Sequence, residues 1–193
     1  MDEINLIKQC QQGDHEAFNM LFQLNAAKAL RSAYLISGKK DLAEEIVQEA
    51  YIQCFNDIKK LRDPEKFRFW FYRIVVRYSW KVISREKNRI QCDELNENEC
   101  PVICDDMFNR VEAEQIREAV HKALNKLSIT LRTVVILYYY DGLSTKEIAK
   151  VLNCMQGTVK SRLHNARKTL EKELKHSDCF VEENDRKEFG ANV

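Results

Sequence analysis

The stretch STKEIAKVLNCMQGTVKSRLHNARKTL, Ser144 to Leu170, holds two short amphipathic segments that meet at a four-residue break. Ser144 followed by Glu147 is a Ser-x-x-Glu capping box, in which each side chain satisfies a free backbone amide of the other, so a helix is predicted from Thr145. Ile148, Ala149, Val151 and Leu152 give that helix an inward face. The break is NCMQ, where Asn153 tolerates the left-handed backbone that a tight turn needs. A second helix is predicted from about Met155, with Val159, Leu163, Ala166 and Leu170 inward at spacings of four, three and four. Lys160, Ser161, His164, Arg167 and Lys168 are left outward. The small residues Ala149 and Gly157 suit a close crossing of the two helices. Together these features describe a helix-turn-helix, whose second helix enters the major groove N-terminus first. Lys160, Arg162 and Arg167 suit phosphates or guanine edges, while Ser161, His164 and Asn165 suit base edges.

The segment before it, EAVHKALNKLSITLRTVVILYYYDGLS, supplies two supporting helices, one turning Val120, Leu124 and Leu127 inward and the other Val134, Val135, Leu137 and Tyr138. The whole chain of 193 residues has only five glycines and two prolines, and no alternating β-branched runs bounded by turns. The expected fold is all-α: two small helical domains joined by an acidic flexible linker, the second domain containing the helix-turn-helix. No apolar run approaches the roughly 18 residues of a membrane span, and the N-terminus lacks the regions of a signal peptide, so a cytoplasmic protein is expected. The seven cysteines are irregularly spaced. Cys92, Cys100 and Cys104 cluster without a histidine or a CxxC pair, so they are read as linker thiols and no metal site is expected.

The net charge of +1 conceals a segregated pattern. Leu61 to Cys92 carries +6, Asp93 to Val120 carries −7, and His121 to His176 returns to +7. Two basic blocks around an acidic one imply two separate contacts with a polyanion, joined by a segment that must not adhere to it.

The N-terminal half narrows the purpose of those contacts. In DLAEEIVQEAYIQCFNDIKKL, Asp41 to Leu61, Asp41 and Glu44 resemble a capping-box start, and Leu42, Ala43, Ile46, Val47, Ala50 and Cys54 share an inward face. The opposite stripe, Asp41, Glu45, Gln48 and Ile52, repels DNA yet carries an isoleucine, which suits a basic protein surface. In KFRFWFYRIVVRYSWKVISREKNR, Lys66 to Arg89, two stripes are apolar. Phe67, Trp70, Phe71, Ile74 and Tyr78 form a core face, and Phe69, Tyr72, Val76, Trp80 and Ile83 a second one. Arg73, Arg77, Lys81 and Ser84 make a polar ridge between them. Cations interleaved with aromatics are what single-stranded DNA requires, because bases stack on rings while phosphates pair with arginine.

With these stretches quoted, the chain from about Asp14 to Leu174 resembles a bacterial RNA polymerase sigma factor of the compact extracytoplasmic-function (ECF) type. The resemblance implies a region 2 domain over 1–88, an acidic linker over 89–108 passing through the polymerase, a region 4 domain over 109–176, and a tail over 177–193 that is expected to be disordered. It implies that Asp41, Glu45, Gln48, Glu49 and Ile52 meet the β′ clamp helices of core polymerase, with a second core contact at the β flap. Arg62, Lys66, Arg68, Tyr72, Arg73, Arg77, Trp80 and Lys81 would recognise and melt the minus-ten element. Lys160, Ser161, Arg162, His164, Asn165, Arg167 and Lys168 would read the minus-thirty-five duplex. An anti-sigma partner, commonly membrane-tethered, is implied as well, and no cofactor or small-molecule substrate. The sequence departs from the family where RDPEK replaces a loop that often has glycine, at Asn153 and Met155 in the turn, and at His164 and Asn165, where an aromatic and an arginine are common.

Two other classes are consistent with parts of the chain. A conventional helix-turn-helix regulator would bind a palindrome as a dimer without polymerase. A helical enzyme would need a nucleophile with its base, a metal-ligand set or a phosphate-binding glycine loop, and the sequence has no such constellation.

Overall fold

The computed structural model describes residues 3–90 and 110–175. Among the described residues there are helices and turns and no strands. The N-terminal unit contains α1 (Glu3–Gln12), α2 (His15–Ser37), α3 (Lys40–Asp57) and α4 (Phe67–Ile90), with short 3-10 turns at Ile58–Lys60 and Pro64–Lys66 before α4. The Asp14 carboxylate caps α2 by accepting from the amides of Glu16 and Ala17 at 2.9 and 3.1 Å. Gly38 ends the helix at φ 77°, donating its amide to the Tyr34 carbonyl, a geometry that favours glycine. Leu6, Ile7, Leu21, Ile46, Ile58 and Val75 are almost fully enclosed in one core. The core stripe of α4 forms as expected, with Phe67, Phe71 and Ile74 buried and Trp70 and Tyr78 packed at its edge. The cap at Asp41 does not form: α3 begins at Lys40, two residues before the start that such a cap would set, and its cap residue Lys39 makes no side-chain bond.

The C-terminal unit contains α5 (Arg110–Lys126), α6 (Ile129–Val135), a π turn (Ile136–Tyr140), α7 (Thr145–Val151) and α8 (Gln156–Lys175). The capping box is complete: Glu147 Oε2 accepts from the Ser144 amide at 2.6 Å, and Ser144 Oγ from the Glu147 amide at 3.3 Å. Asn153 takes φ 49° in the turn, the one described non-glycine residue with positive φ. Val159, Leu163 and Ala166 are buried, as their spacing requires. Two expectations are corrected. Val120 is 38% exposed, because the inward stripe of α5 runs through Ala123, Leu124 and Leu127. A Cβ on Gly157 would meet nothing within 4 Å, so no close helix crossing depends on it.

The second stripe of α4 joins the two units. Tyr72 and Val76 are buried in a cluster with Val134, Leu137, Leu143, Ile148 and Val151, and Phe69 and Trp80 pack at its margin. A further cluster joins Ile36 at the end of α2 to Leu124, Leu127, Val135, Ile136 and Ala166. The two units therefore share apolar interiors. The first two residues of the expected linker, Arg89 and Ile90, close α4, while its remainder, the cysteine cluster and the tail from Ser177 lie outside the described residues.

Candidate nucleic-acid and polymerase interfaces

The outward face of α8 is intact. Lys160, Ser161, His164, Asn165, Arg167 and Lys168 are exposed and Arg162 is half-buried. Arg167 is held in place: its Nε donates to Tyr139 Oη at 2.7 Å, and its guanidinium lies 5.7 Å from the Tyr139 ring and 5.9 Å from the Tyr138 ring. Gln156 Nε2 donates to Thr145 Oγ1 at 2.8 Å, tying the start of α8 to the start of α7. The backbone amide of Ser144 keeps the Glu147 carboxyl below its ordinary range. Cations, hydroxyls and amides thus project from one helix face with no carboxylate among those seven residues, an arrangement able to track phosphates and touch base edges.

On α4 and the turn before it, the cations and the aromatics part company. Arg62, Lys66, Arg68, Arg73, Arg77 and Lys81 are exposed. Arg77 and Lys81 lie 5.3 and 5.4 Å from the Tyr78 ring centroid, and Tyr78 Oη donates to Gln53 Oε1 at 2.9 Å. Asp63 accepts from the Glu65 amide at 3.1 Å and pairs with Lys66 Nζ at 2.5 Å, which fixes the RDPEK turn without a glycine. The hydrogen bond to Lys66 also holds the Asp63 carboxyl below its ordinary range. Tyr72, by contrast, is only 5% exposed and Trp80 is half-buried. Tyr72 Oη donates to Asp141 Oδ1 at 2.6 Å, and Trp80 Nε1 donates to Thr133 Oγ1 at 3.0 Å. Arg68 donates to the Asp141 carbonyl. In this packing the expected strand-capturing rings face the helix-turn-helix unit rather than solvent.

On α3, Asp41, Gln48 and Ile52 are exposed and Glu45 and Glu49 half-buried, with Glu45 ion-paired to Arg85 of α4. Beside Gln48 and Ile52 runs an apolar groove of about 680 Å³ between α2 and α3, lined chiefly by Phe18, Phe22, Leu30, Ile52 and Phe55. Phe22, Ile52 and Phe55 are 37, 52 and 43% exposed. The Phe22 ring meets Tyr51 edge-on at 4.1 Å, and Phe18 meets Phe55 at 5.0 Å. Phe18, Phe22 and Phe55 were missed in the sequence. Their signal was a pair of phenylalanines four apart on α2, legible only once α2 is set against α3.

These faces match known families. The family model of Sigma-70 region 2 matches residues 21–89, and that of Sigma-70, region 4, matches residues 117–170. The chain is 31% identical over 177 residues to the ECF RNA polymerase sigma factor SigW of Bacillus subtilis, covering 88% of this chain and 95% of that protein. The chain belongs to the ECF RNA polymerase sigma factors. The ECF sigma-E factor of Escherichia coli K12 is 29% identical over 180 residues, covering 88% of the sigma factor described here and 92% of the relative. Among solved structures, the sigma factor RpoE of Bartonella quintana in complex with the anti-sigma factor NepR aligns at a TM-score of 0.68 and 24% identity, over 82% of this chain and 97% of that one. CnrH in complex with the cytosolic domain of CnrY aligns at a TM-score of 0.66 and 21% identity, over 89% and 96%. Both likenesses establish the fold. As a sigma factor, the protein acts in promoter-specific transcription initiation, and its family binds core RNA polymerase and promoter DNA.

Proposed function

We propose that this ECF sigma factor divides promoter recognition between α8, which reads the minus-thirty-five duplex through Lys160, Ser161, Arg162, His164, Asn165, Arg167 and Lys168, and α4, which takes the opened minus-ten strands. The observation that carries this division is that α8 and α4 present separate cationic ridges while α3 presents an acidic and apolar face. In the strand role, Arg62, Lys66, Arg68, Arg73, Arg77 and Lys81 pair with phosphates, and Tyr72 and Trp80 stack on bases once uncovered. Stacking contributes roughly 1 to 3 kcal/mol per base, enough to offset the few kcal/mol of unstacking. The α3 stripe of Asp41, Glu45, Gln48, Glu49 and Ile52 docks the β′ clamp helices, extended by the apolar groove of Phe18, Phe22 and Phe55. The C-terminal unit meets the β flap.

In this reading residues 1–88 and 109–176 are the two working domains and 89–108 the acidic spacer. The protein selects and opens promoters in the cytoplasm without catalysing a reaction, the polymerase making the RNA. An anti-sigma protein restrains it, a reading supported by the neighbouring sigma factor RpoE, which was solved with the anti-sigma factor NepR. Permanganate footprinting of the reconstituted holoenzyme tests the strand role. The Tyr72→Ala, Trp80→Ala double variant is expected to lose reactive thymines at minus-ten while retaining duplex binding at minus-thirty-five. Equal loss of both contradicts it.

A further inference from the structure

Three consecutive tyrosines, Tyr138 to Tyr140, end the π turn, and their surroundings differ. Tyr138 packs against the cluster that holds Leu137 and Leu143, and Tyr140 against the one that holds Ile136 and Ala166. Tyr139 joins neither core and is 58% exposed. The turn is closed by the Asp141 amide, which donates to the Ile136 carbonyl at 3.0 Å across five residues, a wide turn of the kind that recurs at functional sites. The exposed ring is nevertheless fixed. It meets the Tyr138 ring edge-on at 5.0 Å, and its hydroxyl accepts from Arg167 Nε at 2.7 Å, with the guanidinium 5.7 Å from the ring centroid. A cation on the outward face of α8 is thus held by a residue that lies outside both helices of the helix-turn-helix.

We infer that Tyr139 is a positioning residue for promoter binding: it aims the Arg167 guanidinium at a backbone phosphate of the minus-thirty-five duplex. The inference rests on the duplex role proposed for α8. Position favours a phosphate over a base edge. Arg167 shares a stripe with Lys160 and His164 at helical spacing, yet it stands about three turns, roughly 16 Å, beyond Gln156, where α8 begins. A recognition helix reads bases with its first residues, which leaves its later ones to the backbone. Hydrogen bonding favours the same target. With Nε taken by Tyr139, both Nη groups of Arg167 are without a partner among the described residues, and two parallel N–H donors match two phosphate oxygens. The choice of a phenol matters too, because a neutral hydroxyl fixes the arginine without cancelling its charge. Arg85 makes the contrast: it is ion-paired to Glu45, so its charge is spent within the protein. Holding Arg167 before DNA arrives also spares the cost of ordering a long side chain on binding.

The test uses holoenzyme reconstituted from the full chain and core polymerase, bound to promoter duplexes in which single minus-thirty-five phosphates are replaced by neutral methylphosphonates. With the parent chain, one such replacement is expected to weaken binding about tenfold, and with Arg167→Ala the same replacement is expected to be nearly silent. Tyr139→Phe keeps the ring and removes the hydroxyl. It is expected to weaken binding about fivefold, alike for all minus-thirty-five sequences, and to diminish the effect of that one methylphosphonate while the others keep theirs. Tyr139→Phe added to Arg167→Ala is expected to change binding less than about twofold, because the hydroxyl acts through the guanidinium. Circular dichroism identifies any variant that fails to fold. Parental binding by Tyr139→Phe overturns the inference, as does an equal loss with and without Arg167. A changed base preference in Tyr139→Phe overturns the phosphate as the target. If Lys160→Ala and Arg167→Ala both bind as the parent does, the duplex role of α8 fails and the positioning role with it. Loss in those two variants without loss in Tyr139→Phe removes the positioning role alone.

Discussion

Burial lifts the Asp141 carboxyl above its ordinary range, with the bonds from Tyr72 and Ser32 and the charges of Lys28 and Arg68 opposing the shift. Burial also raises the Tyr72 phenol and, together with Arg132, lowers His121 from its ordinary 6.5. The two interface groups act with opposite sign on the packing of the units. Burial of His121 against Tyr34 disfavours its charged form, so this part of the shift makes the packing of the two units weaken as pH falls below the ordinary 6.5, whereas the Arg132 part lies within the C-terminal unit itself. A raised Asp141 pKa means that the packed form binds its proton more tightly, so acid favours that packing in a window beginning above 3.8. The Asp141→Asn chain retains only the histidine effect, and small-angle scattering should show it expanding steadily from pH 7.5 to about 5.5. Adding His121→Phe should abolish that expansion; an unchanged profile in the double variant would remove His121 from the account. Within the helix-turn-helix, Ser144→Ala is expected to cost about 1 kcal/mol in urea unfolding, through loss of the cap. Of these residues, the capping pair was legible in sequence because its spacing is local. Asp141 was not, because its partners lie 69 and 109 positions away.

At the scale of elements, α8 and the groove between α2 and α3 make separable predictions. Lys160→Ala should weaken promoter binding by the α8 unit almost equally for all sequences and lower the salt slope by about one. His164→Ala should instead alter the preferred bases at minus-thirty-five, read by selection from a randomised element. Phe22→Ala with Ile52→Ala should weaken core binding at least tenfold while leaving oligonucleotide binding intact, because these side chains line the open groove and no DNA-facing ridge. Helix periods made α7 and α8 legible to within a residue, and they exposed both stripes of α4. What covers the second stripe was not legible, since an apolar face does not name its partner. The cap at Asp41 was misread for a related reason: the pattern allowed two starts, and the chain enters α3 two residues earlier, at Lys40. Gly157 was read as a close approach when its surroundings are open.

Across the whole molecule, the all-helical class and the division into two units with an acidic spacer followed from composition and charge blocks. The union of those units did not, because it depends on sequence-distant faces that gather Tyr72 with Leu143 in one cluster and Ile36 with Leu124 in another. Shared interiors predict that calorimetry records one cooperative transition for the parent chain and two for Ile36→Glu. In the proposed function, this ECF sigma factor confers promoter-specific initiation through two separate DNA-facing helices. The most direct test of that function is run-off transcription by reconstituted core polymerase from the region upstream of its own gene. A transcript dependent on the protein, lost on substitution of either the α8 cations or the α4 rings, is the predicted result. No promoter-dependent transcript, together with no binding to core, would contradict the account.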